Sequence, residues 1–462
     1  MRDVLPFYLA REINCKNFCR SLGFSACLLG ALLSAAQPAY AQGISILRDT
    51  ETEDMLRSYE TPLAKAAGLD PAAVKLYLVG DTGVNAFVAE GQNMFILSGM
   101  ILYVKSPNEL IGVIAHETGH IKAGHLSRDT EAMNHAMVPM LLSLVLAMAV
   151  AVAGGGAAAG GIVQLGQAIA EDQFNTFSRT QEATADQIAL QLLNATHQSP
   201  MGIYNTFVRF AAEEAQSAHK IDPYAVDHPV GRGRVGYLEA GVEASPYRDI
   251  KDPPQVTHTF EMVQAKLAGF VLPTQEALNR YPVTDTSEPG RYARAMIYLR
   301  KPNLTGALDE INSLIKDEPN NPYFYEVLGQ IYLSMAKANL AIPAYQKSVD
   351  LRPGAPQLRL ALATAQLATD DATLADAALK NLKAASLVEN DDVFTWYEMA
   401  QAYSNLHNEP MANLATAEAY YAAGSTKQAG IFAVRAQRGL QQGTADWERA
   451  GDIIGATSPV SR

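Results

Sequence analysis

The chain has 462 residues, enough for roughly two to four domains and a sizeable core. A formal net charge of -12 and a pI near 5.3 argue against nucleic acid as a main partner. A composition of 48% hydrophobic and 18% charged residues is that of a globular protein, which sets aside an extended, solvated chain.

Residues 1–41 read as a secretory signal. Arg11, Lys16 and Arg20 form a basic region, Leu22 to Ala36 an apolar run, and Ala39-Tyr40-Ala41 an A-x-A cleavage site before Gln42. The competing reading is a retained anchor, but the run is short for a membrane span. Cys15, Cys19 and Cys27 are the only cysteines, so cleavage leaves a chain with no disulfide and no thiol ligand. An exported, acidic chain of this kind suits a bacterial periplasm.

From about residue 50 to 75, Leu56, Tyr59, Leu63, Ala66 and Ala67 recur at helical spacing. Leu76-Tyr77-Leu78-Val79 before Gly80-Asp81-Thr82-Gly83 predicts a strand and turn. Asn85 to Ala89 and Met94 to Leu97, separated by Glu90-Gly91-Gln92-Asn93, predict a hairpin, whose edge could take an extended peptide as an added strand. Ser106-Pro107-Asn108-Glu109 is a helix start: Ser106 caps, Pro107 fits the first turn, and Glu109 favours the positive end.

That helix carries His116-Glu117-Thr118-Gly119-His120, a complete HExxH pattern. Four residues apart on a helix, His116 and His120 share a face and can hold one metal ion. Zinc takes nitrogen ligands at about 2 Å and needs an open position for chemistry. Glu117 stands one step round the helix, where a carboxylate can serve as base for an attacking water.

Residues 132–170 contain no Asp, Glu, Lys or Arg; Val138 to Val152 is nearly all Leu, Met, Ala and Val, and a Gly-rich stretch comes after it. Fifteen residues span roughly 22 Å as a helix, against a hydrocarbon core of about 30 Å. A lid-like helical hairpin, a membrane-dipping segment and a true span remain open. Membrane contact would run through 137–170.

The next helical stretch, Phe177 to Ala189, places Glu182 and Asp186 on one face. Glu182 is the expected third zinc ligand. Asp186 can accept a proton from the far nitrogen of a ligand histidine. His228-Pro229 comes later in a loop, where His228 can be a fourth ligand or a donor to the oxyanion. His125 stands five residues after His120, facing away from the metal on a helical wheel, and reads as structural. His135, His197, His219, His258 and His407 carry no assignment.

Between about 243 and 290, Asp252-Pro253-Pro254 and Ser287-Glu288-Pro289-Gly290 bracket a helical piece from Phe260 to Phe270, an expected bridge between domains. Beyond it lies an internal repeat. Tyr298, Ala307 and Pro319 return 34 residues later as Tyr332, Ala341 and Pro353; Trp396, Tyr403 and Ala412 mark a later unit, with a poorer one at about 356–390. This is the tetratricopeptide period, which builds stacked helix pairs. Thr426 to Gly439 is expected as a last, irregular helix.

Together, His116-Glu117-Thr118-Gly119-His120, Glu182 within Ser178 to Asp186, Asn85-Ala86-Phe87 and His228-Pro229 resemble the HtpX/CAAX-prenyl-protease type of gluzincin peptidase. With the signal and the repeats, the chain is similar to the periplasmic BepA-like branch of that family. The resemblance implies one Zn2+ per chain, with His116, His120 and Glu182 as ligands and Glu117 as base. It also implies a regulatory role for His228, and Arg232 or Arg234 as the basic residue after it. Implied partners are misassembled outer-membrane proteins as substrates and, through the repeats, the β-barrel assembly machinery.

The expected fold is mainly α: an α+β gluzincin metalloprotease domain with a small β-sheet, followed by an α-solenoid of tetratricopeptide repeats. Expected bounds are 1–41 for the signal, 42–245 for the protease, 246–288 for the linker and 289–462 for the repeats. The expected function is a zinc endopeptidase of outer-membrane protein quality control. Two alternatives are a chaperone or adaptor with a largely closed zinc site, and a housekeeping protease whose repeats serve self-association.

Overall fold

The computed structural model describes residues 45–89, 91–125, 179–216, 228, 232–369, 371 and 373–457. The signal reading and the charge-free segment 132–170 therefore lie outside the described residues. The chain is mainly helical with one small sheet, and divides into two compact units: Leu56–Thr257, which takes in the strand at Ile46–Leu47, and His258–Arg462 together with Arg48–Met55.

In the first unit four strands, β1 (Ile46–Leu47), β2 (Lys75–Val79), β3 (Ala86–Ala89) and β4 (Asn93–Leu97), form a mixed sheet of order β1-β2-β4-β3. The expected hairpin is present, with β3 antiparallel to β4. β4 also pairs in parallel with β2, so β3 lies at the sheet edge. Alternation divides the faces: Met94 and Ile96 are fully buried, while Tyr77, Phe95 and Phe87 stack across the strands at 4.9 and 5.1 Å. The first helix, α1 (Thr50–Ala67), ends near where the apolar spacing stops. A six-residue helix, α2 (Ser98–Tyr103), joins β4 to the helix that carries the histidine motif.

That helix is α3 (Pro107–Ala123). Ser106 Oγ accepts from Glu109 N at 3.3 Å, and the Glu109 carboxylate accepts from Lys105 N at 2.6 Å, which satisfies two amides at the helix start. Gly124 ends the helix at φ 66, a left-handed conformation that glycine adopts without strain. Every residue from Glu109 to Ile121 is buried, so this is a core helix and not a surface one.

Three further helices complete this unit: α4 over residues 179–195, α5 (Met201–Gln216) and α6 (Arg232–Ala244). Glycines on α3 set how closely the first two approach. A Cβ at Gly112 would stand 2.7 Å from Ile203 N on α5, and one at Gly119 would stand 2.8 Å from Ala185 O on α4. Gly119, inside the motif, is thus where the helix bearing Glu182 and Asp186 crosses.

In the second unit α7 (Pro254–Val271) and α8 (Thr274–Arg280) lead into five helix pairs. These are α9 (Glu288–Arg300) with α10 (Leu304–Asp317), α11 (Pro322–Ser334) with α12 (Ala338–Leu351), and α13 (Pro356–Leu367) with α14 (Leu374–Ser386). α15 (Val393–Asn405) pairs with α16 (Glu409–Ala422), and α17 (Thr426–Gly439) with α18 (Ala445–Thr457). Small residues sit where helices cross: Ala307 and Ala341 are fully buried, and a Cβ at Gly329 would meet the Tyr345 ring. The poorly matching stretch folds as a pair too, because Ala375 keeps the buried small-residue slot although Gln366 replaces the tyrosine. Thr426–Gly439 is helical as expected but is not last; α18 packs against it.

Residues 48–55 belong to this second unit through a buried polar cluster. Lys266 on α7 donates to Asp49 and lies 3.3 Å from Glu51 and 3.6 Å from Glu326. Tyr292 OH donates to Glu51 at 2.8 Å. Burial opposes the charge on Lys266, but the surrounding carboxylates hold it well above its ordinary range.

Candidate metal centre

Four side chains from three places in the sequence converge in the first unit. His116 and His120 come from α3, Glu182 from α4, and His228 from the segment before α6; all are buried. His116 Nε2 and His120 Nε2 are 3.1 Å apart, and each lies 3.3 Å from a Glu182 oxygen. His228 Nδ1 lies 3.1 Å from both Glu182 oxygens and 3.4 Å from His116 Nε2. Two donors about 2.05 Å from a common ion at the tetrahedral angle stand about 3.3 Å apart. The four donors therefore have the mutual spacing of ligands around one tetrahedral metal.

Charge and hydrogen bonding agree with that fit. Glu117 is fully buried, and neither of its carboxylate oxygens accepts a hydrogen bond among the described residues. A buried carboxylate left so is costly unless water or a cation completes it. Arg234 pairs with Glu182 and Asp186, and Glu117 Oε1 stands 3.6 Å from His228 Nε2, so three carboxylates gather at a site that a divalent cation would help to balance. The donor set, two or three imidazoles and a carboxylate, suits zinc.

The pKa shifts arise from the same arrangement. Burial opposes protonation of His116, but the Asp186 and Glu182 carboxylates outweigh it and raise the ring to about 9. For His120 burial wins and the pKa falls to about 3, which keeps the ring neutral as a ligand must be. Burial also opposes ionisation of Glu182, yet hydrogen bonds from His116, His120 and His228 hold it below the usual carboxylate range. Glu117 moves the other way: desolvation raises it above the ordinary glutamate value, only partly offset by His228 and His116.

Around the four donors, Asp186 Oδ1 lies 3.0 Å from His116 Nδ1. Arg234 donates to both Asp186 oxygens at 2.8 Å, reaches Glu182 Oε2 at 2.8 Å, and lies over the Phe207 ring. Phe207 in turn meets the His116 ring edge-on. Of the two arginines named from the sequence, Arg234 has its side chain at this cluster. The reading of His125 needs correction. Its Nδ1 lies 3.0 Å from His120 Nδ1, just past Gly124, whose left-handed conformation ends the helix. The helical wheel does not extend past that glycine. Among the other histidines, His258 lies within 3.5 Å of Glu288 and Glu318 at a half-exposed surface of the second unit.

Residues 50–242 match peptidase family M48. The chain carries an M48 peptidase domain. It is 26% identical over 364 residues to the β-barrel assembly-enhancing protease of Escherichia coli K12, covering 76% of this chain and 72% of that protein. Metalloprotease LoiP of the same organism is 29% identical over 194 residues, 40% of this chain and 69% of LoiP. Mitochondrial metalloendopeptidase OMA1 of Schizosaccharomyces pombe is 26% identical over 228 residues, 47% of this chain and 63% of OMA1. The chain is accordingly a zinc metalloendopeptidase acting on protein substrates. Among the described residues no helix is long and apolar enough to cross a membrane.

Proposed function

We propose that this M48 peptidase works in the periplasm, in assembly and quality control of outer-membrane β-barrel proteins. On this reading the exported chain keeps a protease domain (42–245), a linker (246–288) and a tetratricopeptide domain (289–462). The observation that carries it is the extent of the likeness to the β-barrel assembly-enhancing protease. That match runs over 364 residues, well past the peptidase segment and into the helix pairs. The repeats recruit stalled substrates or the assembly machinery, as stacked helix pairs do.

In this proposal His116, His120 and Glu182 hold the zinc, while Asp186 and His125 orient the two rings from behind. Zinc, when bound, supplies a Lewis acid that polarises the scissile carbonyl. Glu117 takes the proton of the attacking water and delivers it to the leaving amine; burial keeps its basicity above that of an exposed glutamate. The edge strand β3, which packs near α3, pairs an extended substrate in register with the site. His228, at ligand spacing from Glu182 and His116, fills the fourth position at rest and must leave for substrate to enter.

Glu117→Gln tests the chemistry. It should retain zinc by atomic absorption and lose cleavage of an unfolded protein substrate; full activity would remove Glu117 from its role. Rescue of a barrel-assembly defect by wild type but not by Glu117→Gln is expected, and equal rescue would favour an adaptor. His228→Ala should raise basal proteolysis if the ring blocks the site and lower it if the ring serves the oxyanion. Unchanged activity would exclude both.

A further inference from the structure

The surface that stacked helix pairs ordinarily offer to a peptide is in part already taken here. Residues 48–55 are tied across three successive pairs of their own unit. Glu51 is held by Tyr292 of α9. Asp54 accepts from Tyr323 OH of α11 at 2.8 Å and from Arg352 at 2.9 Å. Arg48 donates to Glu389 at 2.6 Å, and Glu389 accepts from Gln357 of α13 at 2.7 Å. A partner cannot use these groups without displacing the chain's own segment.

The fifth pair is different. An open cavity of about 800 Å³ lies between α17 and α18, lined among others by Lys427, Ile431, Val434, Arg435, Arg438 and Ile454. The volume is that of a ligand site. The five residues from α17 recur at helical spacing and share one face, with apolar Ile431 and Val434 set among three cations. Arg435 lies over the Phe432 ring, and among the described residues none of the three cations pairs with a carboxylate, whereas neighbouring Arg449 is held by Glu418 at 2.5 Å. In a chain with 48 acidic and 36 basic residues this is a local reversal of sign. Ile431 is 40% exposed.

We propose that this groove docks an extended protein segment in which carboxylates alternate with apolar side chains. The carboxylates would meet Arg435, Arg438 and Lys427, and the apolar groups would cover Ile431, Val434 and Ile454. Complementary charge steers such a segment to this one face of an otherwise acidic molecule, and apolar burial holds it. The proposal rests on the reading that the repeat unit recruits proteins, and it names where and what.

The test is a fluorescence-anisotropy titration of the full chain with a short fluorescein-labelled peptide alternating Glu and Leu. Saturable binding is expected, weakened by added salt and at least about tenfold weaker in Arg435→Glu/Arg438→Glu. Arg435→Gln/Arg438→Gln should weaken it less, which separates charge from misfolding. Zinc content and the far-UV circular-dichroism spectrum should be unchanged in both variants. Equal affinity for a Lys–Leu peptide, or for a Glu–Ser peptide, would overturn the proposal. So would binding of phosphatidylglycerol vesicles without binding of the peptide, or self-association that disappears in the charge-reversed chain. A failed titration leaves the peptidase reading standing, since Glu117→Gln decides that one independently.

Discussion

At the scale of single residues, the site depends on keeping acid and base functions apart among close, buried neighbours. Glu182 is held as an anion by three imidazoles, while Glu117 is raised by burial and left without a donor among the described residues. A base must be ionised to work, and the Glu117 pKa is raised, so activity is lost as pH falls through a value above 4.5. The acid limb of a kcat/KM profile should therefore lie above the ordinary glutamate range; a limb at or below it would contradict the assigned environment. His125 gives a second expectation. If it holds the far nitrogen of His120, His125→Ala should weaken zinc binding about 10- to 100-fold in a chelator competition, with partial recovery in His125→Asn. HExxH, Glu182, Asp186 and His228 could be read from residue type and spacing, because helical periodicity places most of them. His125 could not, because a left-handed glycine breaks that periodicity one residue earlier.

At the scale of elements, close backbone approach decides whether the ligands meet. Glu182 reaches the histidines because α3 and α4 touch at Gly119. Gly119→Val should push them apart, costing about 1–3 kcal/mol by overpacking in urea unfolding and lowering zinc content as well. An unchanged zinc content would mean that Glu182 does not depend on this crossing. In the second unit, Lys266→Met leaves Asp49 and Glu51 buried without their cation, and should cost about 3–5 kcal/mol in the same assay. Adding Asp49→Asn and Glu51→Gln should recover part of the loss. The longer elements were legible: α1, α3, the hairpin and the repeat helices obey apolar spacing and capping residues. The two residues of β1 and the six of α2 are too short to carry a period, and the parallel pairing of β2 with β4 leaves no local mark.

At the scale of the whole molecule, metal and stability are linked. Zinc binds the folded site and leaves the unfolded chain with scattered ligands, so saturation at about 100 times Kd adds roughly 2.7 kcal/mol. Calorimetry with and without a chelator should show a lower transition temperature without zinc, and Glu182→Ala should abolish the difference. The division of the chain was only partly visible in the sequence. Pro-rich joints suggest a linker, but ion pairs joining Asp49 to Lys266 and Asp54 to Arg352 link positions too distant for any local pattern. Those pairs have a practical consequence for dissection. A fragment starting at His258 keeps all the helix pairs yet strands a buried ammonium, so it should be soluble and well folded only when a synthetic peptide spanning residues 48–55 is supplied in trans. The helix pairs and that octapeptide would then behave as two halves of a complementing system, and the peptide's affinity would report directly on how firmly the second unit grips the 48–55 segment.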